Sequence, residues 1–425
     1  MALLPRALPF GLNARVLHSY GALLTGQVGR LVFSLVYFLA LMKALTLAEF
    51  GQFATASAIG VTLSRVVAFG FVSPLYRTAC VRRRLLGSYL TGYAAALALS
   101  LVPCALVAWA LHATLYGQSF PLVAFAAVIA AEALLWRTSE VLIIVANGLN
   151  DFLRGSLVVI AGTATRAGAA LLLIGAGGDL ATWCKFYFVA NMLVLILALL
   201  VLLPRFRPRW TPRVWLARWR DALGVAGAEL VFYAQSELDR VVVLALGGSA
   251  LAGLYAIVMR LADLTAIPLR ALMTLLIQTV MRERGRKRSR RFWIGLEAAV
   301  FAVSSVGMGV LALAAHWAPA ELGENVALAA GFLPLAILLP AFRNLIELHT
   351  ELLYAFERPL ERIVQLLMVG GGKVALLALL LGAFADFERV IVWTNALFAT
   401  IYALSAIYTY RQLTEQTGRE ASAPA

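Results

Sequence analysis

Long apolar stretches separated by short polar loops recur along almost the whole chain. A membrane-spanning helix needs ~20 mostly apolar residues. Stretches of about that length lie at residues 22–42, 50–74, 86–111, 121–146, 155–175, 183–203, 222–246, 250–280, 292–315, 326–347, 361–384 and 388–410. The apolar runs are continuous rather than alternating, which favours helices over the strands of a membrane barrel. The pattern predicts an all-α integral membrane protein with about twelve transmembrane helices.

Composition agrees with this prediction. The chain has 425 residues, of which 62% are hydrophobic and 14% charged. Soluble proteins are typically ~45–50% apolar and ~25% charged. The three cysteines are far apart and form no pair with the spacing of a disulfide framework or a metal site. Residues 1–27 show no small-residue cleavage site, so we expect no cleavable signal peptide.

The net charge of +14 would suggest nucleic acid as a partner of a soluble protein. Here the surplus lies in alternate loops, with arginine clusters at residues 82–84, 205–220 and 282–291. The opposite loops carry acids such as Asp179 and Glu321. Basic loops mark the cytoplasmic side of a membrane protein. We therefore expect both termini in the cytoplasm, a bacterial inner-membrane location, no nucleic-acid partner and a monomer.

A repeated pattern divides the chain into two halves. The sequence EFGQFA at residues 49–54 is echoed by LAGLYA at residues 251–256, and each opens a long helix that ends in an arginine cluster. Internal repeats of this kind are common in secondary transporters. The predicted parts are a cytoplasmic segment 1–21, an N-lobe 22–203, a basic connector 204–221, a C-lobe 222–410 and a cytoplasmic tail 411–425. Each lobe holds six helices.

Many charged side chains fall inside the predicted helices. A charge at the bilayer centre costs ~2.5–3.5 kcal/mol even on the lenient insertion scale, so these groups must line a wet cavity or pair with one another. The cations proposed to line a central cavity are Arg30, Arg65, Arg166, Arg240 and Arg260. The polar and acidic groups proposed beside them are Gln27, Glu132, Glu140, Glu229, Glu237, Asp239 and Asp263.

Two further interpretations of these charges stay open. They could be interhelical ion pairs that lock the bundle, most simply Arg260 with Asp263 one turn later. Arginines near helix ends, namely Arg137, Arg270 and Arg343, could instead snorkel to the membrane surface.

Enzyme chemistry has no visible basis in the sequence. The four histidines are far apart, and neither a phosphate-binding loop nor a zinc-protease motif occurs. We expect neither a cofactor nor a metal, and the extracytoplasmic loops are too short for a glycosyltransferase site.

The opening of the chain resembles that of a transporter family. A first helix, the turn EFGQF at residues 49–53 and a second helix ending at Gly70 look like the start of polysaccharide-export flippases of the Wzx type. The second half is similar to its counterpart there, with ELDR at residues 237–240 and AGLYA at residues 252–256. Those flippases belong to the multidrug/oligosaccharidyl-lipid/polysaccharide (MOP) exporter superfamily, which includes the MATE transporters.

The resemblance implies a two-lobe transporter that works by alternating access. Its substrate would be a polyprenyl-diphosphate-linked oligosaccharide, a precursor of O-antigen, exopolysaccharide or capsule, moved from the cytoplasmic to the periplasmic leaflet. Its partners would be glycosyltransferases and a polysaccharide polymerase. The positions matched to the family's cavity arginines are Arg30, Arg65 and Arg260. The acids in this chain depart from a uniformly cationic cavity.

Two other functions remain open. A multidrug or metabolite cation antiporter of the same superfamily would need carboxylates in the N-lobe, which Glu132 and Glu140 could supply. A structural scaffold would leave the charges inside the membrane unexplained.

Topology gives the first testable prediction. Reporter fusions should be cytoplasmic near Arg83, Arg213 and Lys287. They should be extracytoplasmic near Gly117, Gly177 and Glu321. An extracytoplasmic signal at Lys287 would contradict the orientation, because that loop carries the densest positive charge.

Overall fold

The computed structural model describes residues 14–203, 207–282, 290–317, 323–384 and 386–422, and within these ranges the regular elements are helices and no strand occurs. The helices are α1 (Ala14–Ala44), α2 (Leu47–Val66), α3 (Val72–Val81), α4 (Leu86–Leu115), α5 (Leu122–Ala130), α6 (Arg137–Gly148), α7 (Phe152–Ala176), α8 (Leu180–Leu202), α9 (Pro212–Leu216), α10 (Trp219–Arg282), α11 (Arg290–Trp317), α12 (Glu324–Ala330), α13 (Leu339–Ala355), α14 (Pro359–Ala383) and α15 (Phe387–Ser422). The π-helical stretch Ala131–Trp136 joins α5 to α6.

Most of the apolar segments predicted from the sequence lie in these helices. The predicted segment 326–347 is broken between α12 and α13, and the segments 222–246 and 250–280 both lie in α10. Eight of the described helices are long and apolar enough to cross a membrane, or nine if the bent pair Glu324–Ala330 and Pro334–Ala355 is one span. The protein is therefore a multi-pass membrane protein. One candidate span, Trp219–Ile267, has 49 residues, more than twice the ~20 that a crossing needs. Gly248 interrupts it with φ 80 and ψ 175. The count of twelve crossings stays a prediction.

The chain divides into two compact units. Unit 1 comprises Met1–Ala44 and Gly60–Gly227, and unit 2 comprises Leu45–Ile59 and Ala228–Ala425. The first part of α2 thus belongs to unit 2, although the predicted N-lobe 22–203 includes all of α2. The boundaries of the predicted lobes stay a prediction.

In unit 1, α7 packs against both α1 and α8, and α8 in turn contacts α5 and α6. The core between α6, α7 and α8 contains Leu142, Val158 and Val194, and Trp136 packs against its edge. Apolar side chains on both faces of these helices explain why the sequence pattern here is continuous rather than amphipathic. The arrangement brings the polar positions of α2, α6, α7 and α8 into one unit.

Two local features set the ends of helices in unit 1. After α2, Ala68 and Phe69 have φ of 54° and 49°, and Gly70 has φ of 70°. The amide of Ala68 donates to Ser100 Oγ at 2.9 Å, which satisfies one backbone group where α2 stops. At the start of α8, the amide of Thr182 donates to the carboxylate of Asp179 at 3.0 Å. This N-cap hydrogen bond lowers the pKa of Asp179.

In unit 2, α13 occupies the centre and contacts α11, α14 and α15. Leu345, Leu348 and Leu352 on α13 meet Val300 of α11 and Leu269 of α10 in a buried core. Because α13 is surrounded by other helices, its polar side chains must find partners inside the protein.

The two copies of the sequence repeat meet inside unit 2. A Cβ placed on Gly51 would lie 2.0 Å from Ser249 O and 2.6 Å from Gly253 N, and one placed on Gly253 would lie 2.0 Å from Leu47 O. The equivalent glycines of EFGQFA and LAGLYA therefore form a backbone-to-backbone helix crossing. Small residues allow such close approach between membrane helices.

We expect Gly51→Ala to destabilise the protein at the upper end of the ~1–3 kcal/mol typical of overpacking, because the obstructing atoms belong to the backbone. Gly371→Ala on α14 is the matched control, since a Cβ there would meet nothing within 4 Å. Thermal unfolding of the detergent-solubilised variants measures both effects. Equal unfolding temperatures for the two variants would contradict the close crossing.

Candidate functional site

A three-membered charge cluster lies buried in unit 1. The guanidinium of Arg137 lies 2.9 Å from Glu140 Oε2, and Arg65 approaches the same oxygen at 3.1 Å. Arg65 comes from α2 and the other two side chains from α6. Two arginines thus share one carboxylate, which leaves a surplus positive charge in the cluster. Arg137 is only 1% exposed, so the expectation that it snorkels to the membrane surface is wrong.

A second polar group in unit 1 surrounds Arg166 of α7. Its Nε donates to Asn191 Oδ1 at 3.1 Å, and its guanidinium lies over the ring of Trp136, 4.3 Å from the centroid. Tyr187 completes this group by donating its hydroxyl to the buried carboxylate of Glu132. Cation–π contact and hydrogen bonds replace water around this cation. Arg166 also lies 5.4 Å from the centroid of the Tyr187 ring, so Tyr187 connects this cation to the carboxylate of Glu132.

Arg30 of α1 differs from these arginines because its side chain is exposed. Gln27, which shares the predicted polar stripe, lies at a position whose side chain is outside the described part of the structure. The stripe on α1 and its orientation toward a cavity stay predictions.

Unit 2 contains a buried Asp–Lys pair. The ammonium of Lys373 on α14 lies 3.2 Å from the carboxylate of Asp239 on α10, and it also donates to Gln235 O at 2.6 Å. The hydroxyl of Tyr255 donates to Asp239 at 3.1 Å. Both charged side chains are almost completely buried, so Lys373 and Asp239 are partners rather than a vacant binding site.

A longer ion-pair network lies next to this pair. Arg240 contacts Glu237 at 2.7 Å and Asp263 at 3.9 Å, while Arg343 of α13 reaches Asp263 at 2.8 Å. The simplest expected partner of Asp263 was Arg260, but α13 brings Arg343 directly to this carboxylate. Arg343 therefore pairs inside the protein and does not snorkel. Arg260 and Glu229 are both partly buried.

A third polar cluster, centred on His349 in unit 2, was not predicted from the sequence. Its ring contacts Glu297 at 2.9 Å on one side and Ser405 at 3.1 Å on the other. Tyr402 and Tyr410 donate to the same carboxylate of Glu297. These residues come from α11, α13 and α15 and are up to 113 positions apart, so spacing within one helix could not reveal the cluster.

The described charges of the two units form separate polar clusters. Among the described residues, no group of three or more His, Cys, Asp or Glu side chains could hold a metal ion. The charges lie in helices and pair both within one helix, as Glu237 with Arg240, and between helices, as Asp239 with Lys373. Such pairs can be exchanged between partners when helices move, which suits a protein with more than one conformation.

Comparisons with solved structures decide the fold. A multidrug resistance MATE family transporter of the MOP superfamily, solved in an inward-facing conformation, matches with a TM-score of 0.60 and 13% identity, covering 97% of each chain. The lipid II flippase MurJ in an inward closed conformation matches with a TM-score of 0.64 and 12% identity, covering 94% of this chain and 87% of MurJ. The fold is that of MOP superfamily transporters.

At this level of identity the likeness concerns the fold alone. No protein-family profile matches the sequence. No curated protein matches it either.

The shared carboxylate of unit 1 gives a stability prediction. Glu140→Gln removes the anion that faces Arg65 and Arg137, and loss of one member of a buried ion pair costs ~3–5 kcal/mol. Arg65→Ala should cost clearly less, because the pair between Arg137 and Glu140 remains. Chemical or thermal unfolding in detergent compares the two. An Arg65→Ala variant that is as unstable as Glu140→Gln would contradict the shared-carboxylate arrangement.

Proposed function

We propose that the protein moves a polyprenyl-diphosphate-linked oligosaccharide from the cytoplasmic to the periplasmic leaflet of a bacterial inner membrane. Such a substrate combines an anionic diphosphate and a polar glycan with a hydrocarbon tail. The tail can stay in lipid while the head group crosses, so the protein has to lower only the cost of moving the head group. The resemblance of the sequence to Wzx-type flippases supports this proposal.

The proposal rests on one observation, namely that both membrane acids of unit 1 already have partners inside the protein. Glu140 is engaged by two arginines, and Glu132 is buried and hydrogen-bonded to Tyr187. A cation exporter that uses N-lobe carboxylates would need one of these to receive its substrate. The arginines of this unit outnumber its membrane carboxylates among the described residues, which favours an anionic ligand.

Arg30 is the residue that we propose to contact the diphosphate. It is the exposed member of the predicted cavity cations in unit 1. A guanidinium can bind phosphate oxygens through two parallel N–H donors, which an ammonium cannot do with the same geometry. Arg65 and Arg166 lie deeper, and we propose that they contribute positive potential rather than direct contact in this conformation.

The alternative is a multidrug or metabolite cation antiporter. It is favoured by the likeness to the MATE transporter, which is comparable in extent to the likeness to MurJ. In that case the acids of unit 2, Glu237, Asp239 and Asp263, would have to exchange their arginine and lysine partners for the substrate. Export of cations by the purified protein would favour this function.

The test uses chromosomal variants in the source cell, with surface polysaccharide, lipid-linked precursor and membrane protein level measured together. We expect Arg30→Ala to abolish export and to raise the level of precursor at normal protein level. Arg30→Lys should restore export only partly, because the charge remains without the two-donor geometry.

Arg154→Ala is the matched control, since Arg154 is a 63% exposed arginine at the start of α7 and pairs with Asp151. It should leave export unchanged. Normal export by Arg30→Ala at normal protein level would overturn the proposed role of Arg30. Unchanged precursor and polysaccharide in a deletion strain would overturn the proposed function itself.

A further inference from the structure

We infer that unit 2 contains a proton-binding site formed by His349 and Glu297. The ring of His349 on α13 is fully buried, and its Nε2 lies 2.9 Å from the carboxylate of Glu297 on α11. A buried histidine beside a partly buried acid is unusual in a membrane protein, where ionisable groups are costly and generally functional. Imidazole is also the side chain that changes charge near physiological pH.

The hydrogen bonds around Glu297 indicate that its carboxylate is the fixed part of the site. Its oxygens lie within hydrogen-bond distance of His349, of the Tyr402 hydroxyl at 2.9 Å and of the Tyr410 hydroxyl. A tyrosine hydroxyl donates readily, and an ionised carboxylate only accepts. Three donors therefore surround one acceptor group, and the proton that can be exchanged belongs to the other nitrogen of the ring, Nδ1.

The hydrogen-bond partner of Nδ1 is a hydroxyl, which can pair with this nitrogen in either protonation state. Ser405 Oγ lies 3.1 Å from Nδ1, and the amide of Gln365 on α14 lies 2.6 Å from the same hydroxyl. In the neutral ring, Gln365 donates to Ser405, and Ser405 donates to Nδ1. When a proton from water bonds to Nδ1, the N–H donates to Ser405 Oγ, whose hydroxyl hydrogen rotates away from the ring while Gln365 still donates to the same oxygen. A hydroxyl can do both, because it carries one donor and two acceptor positions.

The other charges near this site are already paired. Glu347 and Glu351 on α13 contact Arg270 of α10 and Arg362 of α14, at 3.2 and 2.9 Å. Arg343, on the same helix, is held by Asp263. Arg291 at the start of α11 and Arg411 on α15 are exposed. In the part of the chain that the structure describes, Glu297 therefore has His349 as its ion-pair partner, and a proton on the ring converts a partly buried negative charge into a neutral pair.

Glu297 is the more accessible member of this pair. Its side chain is 17% exposed, whereas that of His349 is completely buried. Glu297 lies about two turns into α11, which begins with two arginines, and Tyr410 is next to Arg411 on α15, so basic residues flank the cluster on both helices.

Because α13 carries His349 between α11, α14 and α15, the charge of this pair affects how all four helices pack. The site would thus couple proton uptake to a conformational change of unit 2. Binding of the proton is independent of the substrate, but its use to drive transport rests on the function proposed above.

Histidine-selective ¹⁵N labelling tests the site directly in the full-length protein in nanodiscs. The chain has four histidines, so four rings give signals, and His349→Asn identifies the relevant one. We expect the ring of His349 to gain one proton at Nδ1 between pH 9 and pH 5. In Glu297→Gln the midpoint of this titration should fall by at least about one pH unit, which corresponds to the loss of ~1.4 kcal/mol of interaction with the carboxylate.

Two further variants keep the test interpretable. Tyr402→Phe removes one donor to Glu297 with little change in shape, and it should shift the midpoint by less. His316→Asn, at an exposed position of α11, should leave the His349 signal unchanged. A His349 ring that keeps one protonation state from pH 5 to 9, or an unchanged midpoint in Glu297→Gln, would overturn the site.

Transport is measured separately, with polyprenyl diphosphate as the probe in proteoliposomes that carry a pH gradient. Movement of the probe that depends on the gradient and is lost in His349→Asn would support the coupling. A titrating His349 together with no movement of the probe would contradict the proposed function and leave the proton site intact.

Discussion

The lipid bilayer offers no water to a charged side chain, and this constraint explains the arrangement of the polar residues in this protein. A charge inside a membrane helix must reach a partner on another helix, or the helix pays the full cost of its desolvation. Arg65 reaches Glu140, Lys373 reaches Asp239, and Arg343 reaches Asp263. Each of these pairs also connects helices or stabilises a polar face, so the charges hold the helices of each unit in position.

The same constraint separates residues that hold the fold from residues that are available for function. An arginine whose donors already face a carboxylate can bind a ligand only if that contact is exchanged. Arg65 and Arg240 are in this position. Arg30 lies at an exposed position, and the ring of His349 has a hydrogen-bond partner on each side. We propose these two places, one in each unit, as the sites for an anion and for a proton.

Much of the fold follows from hydropathy alone, because a run of ~20 apolar residues has few alternatives to a membrane helix. The repeat of EFGQFA and LAGLYA also corresponds to a feature of the fold, because its glycines meet at a helix crossing. The ion pairs were harder to predict. Which residue faces Asp263 depends on the rotation of α13 against α10, and a short spacing such as that of Arg260 and Asp263 carries no information about a neighbouring helix.

His349 shows the limit of sequence patterns most clearly. In the sequence it is an isolated histidine, and the other side chains of its cluster come from three helices that are distant along the chain, with Glu297 on α11, Gln365 on α14 and Ser405 on α15. Helical periodicity predicts which residues share a face, but not which faces meet. Clusters of this kind become visible only when the packing of the helices is known.

The central claim is that the transported molecule is recognised through an anionic diphosphate. Native mass spectrometry of the purified protein, with polyprenyl diphosphate, the uncharged polyprenol of equal length and a lipophilic cation offered at equal concentrations, tests it most directly. The account predicts that the diphosphate is retained in preference to the other two and that Arg30→Ala removes this preference. Retention of the cation in preference to the diphosphate would contradict it.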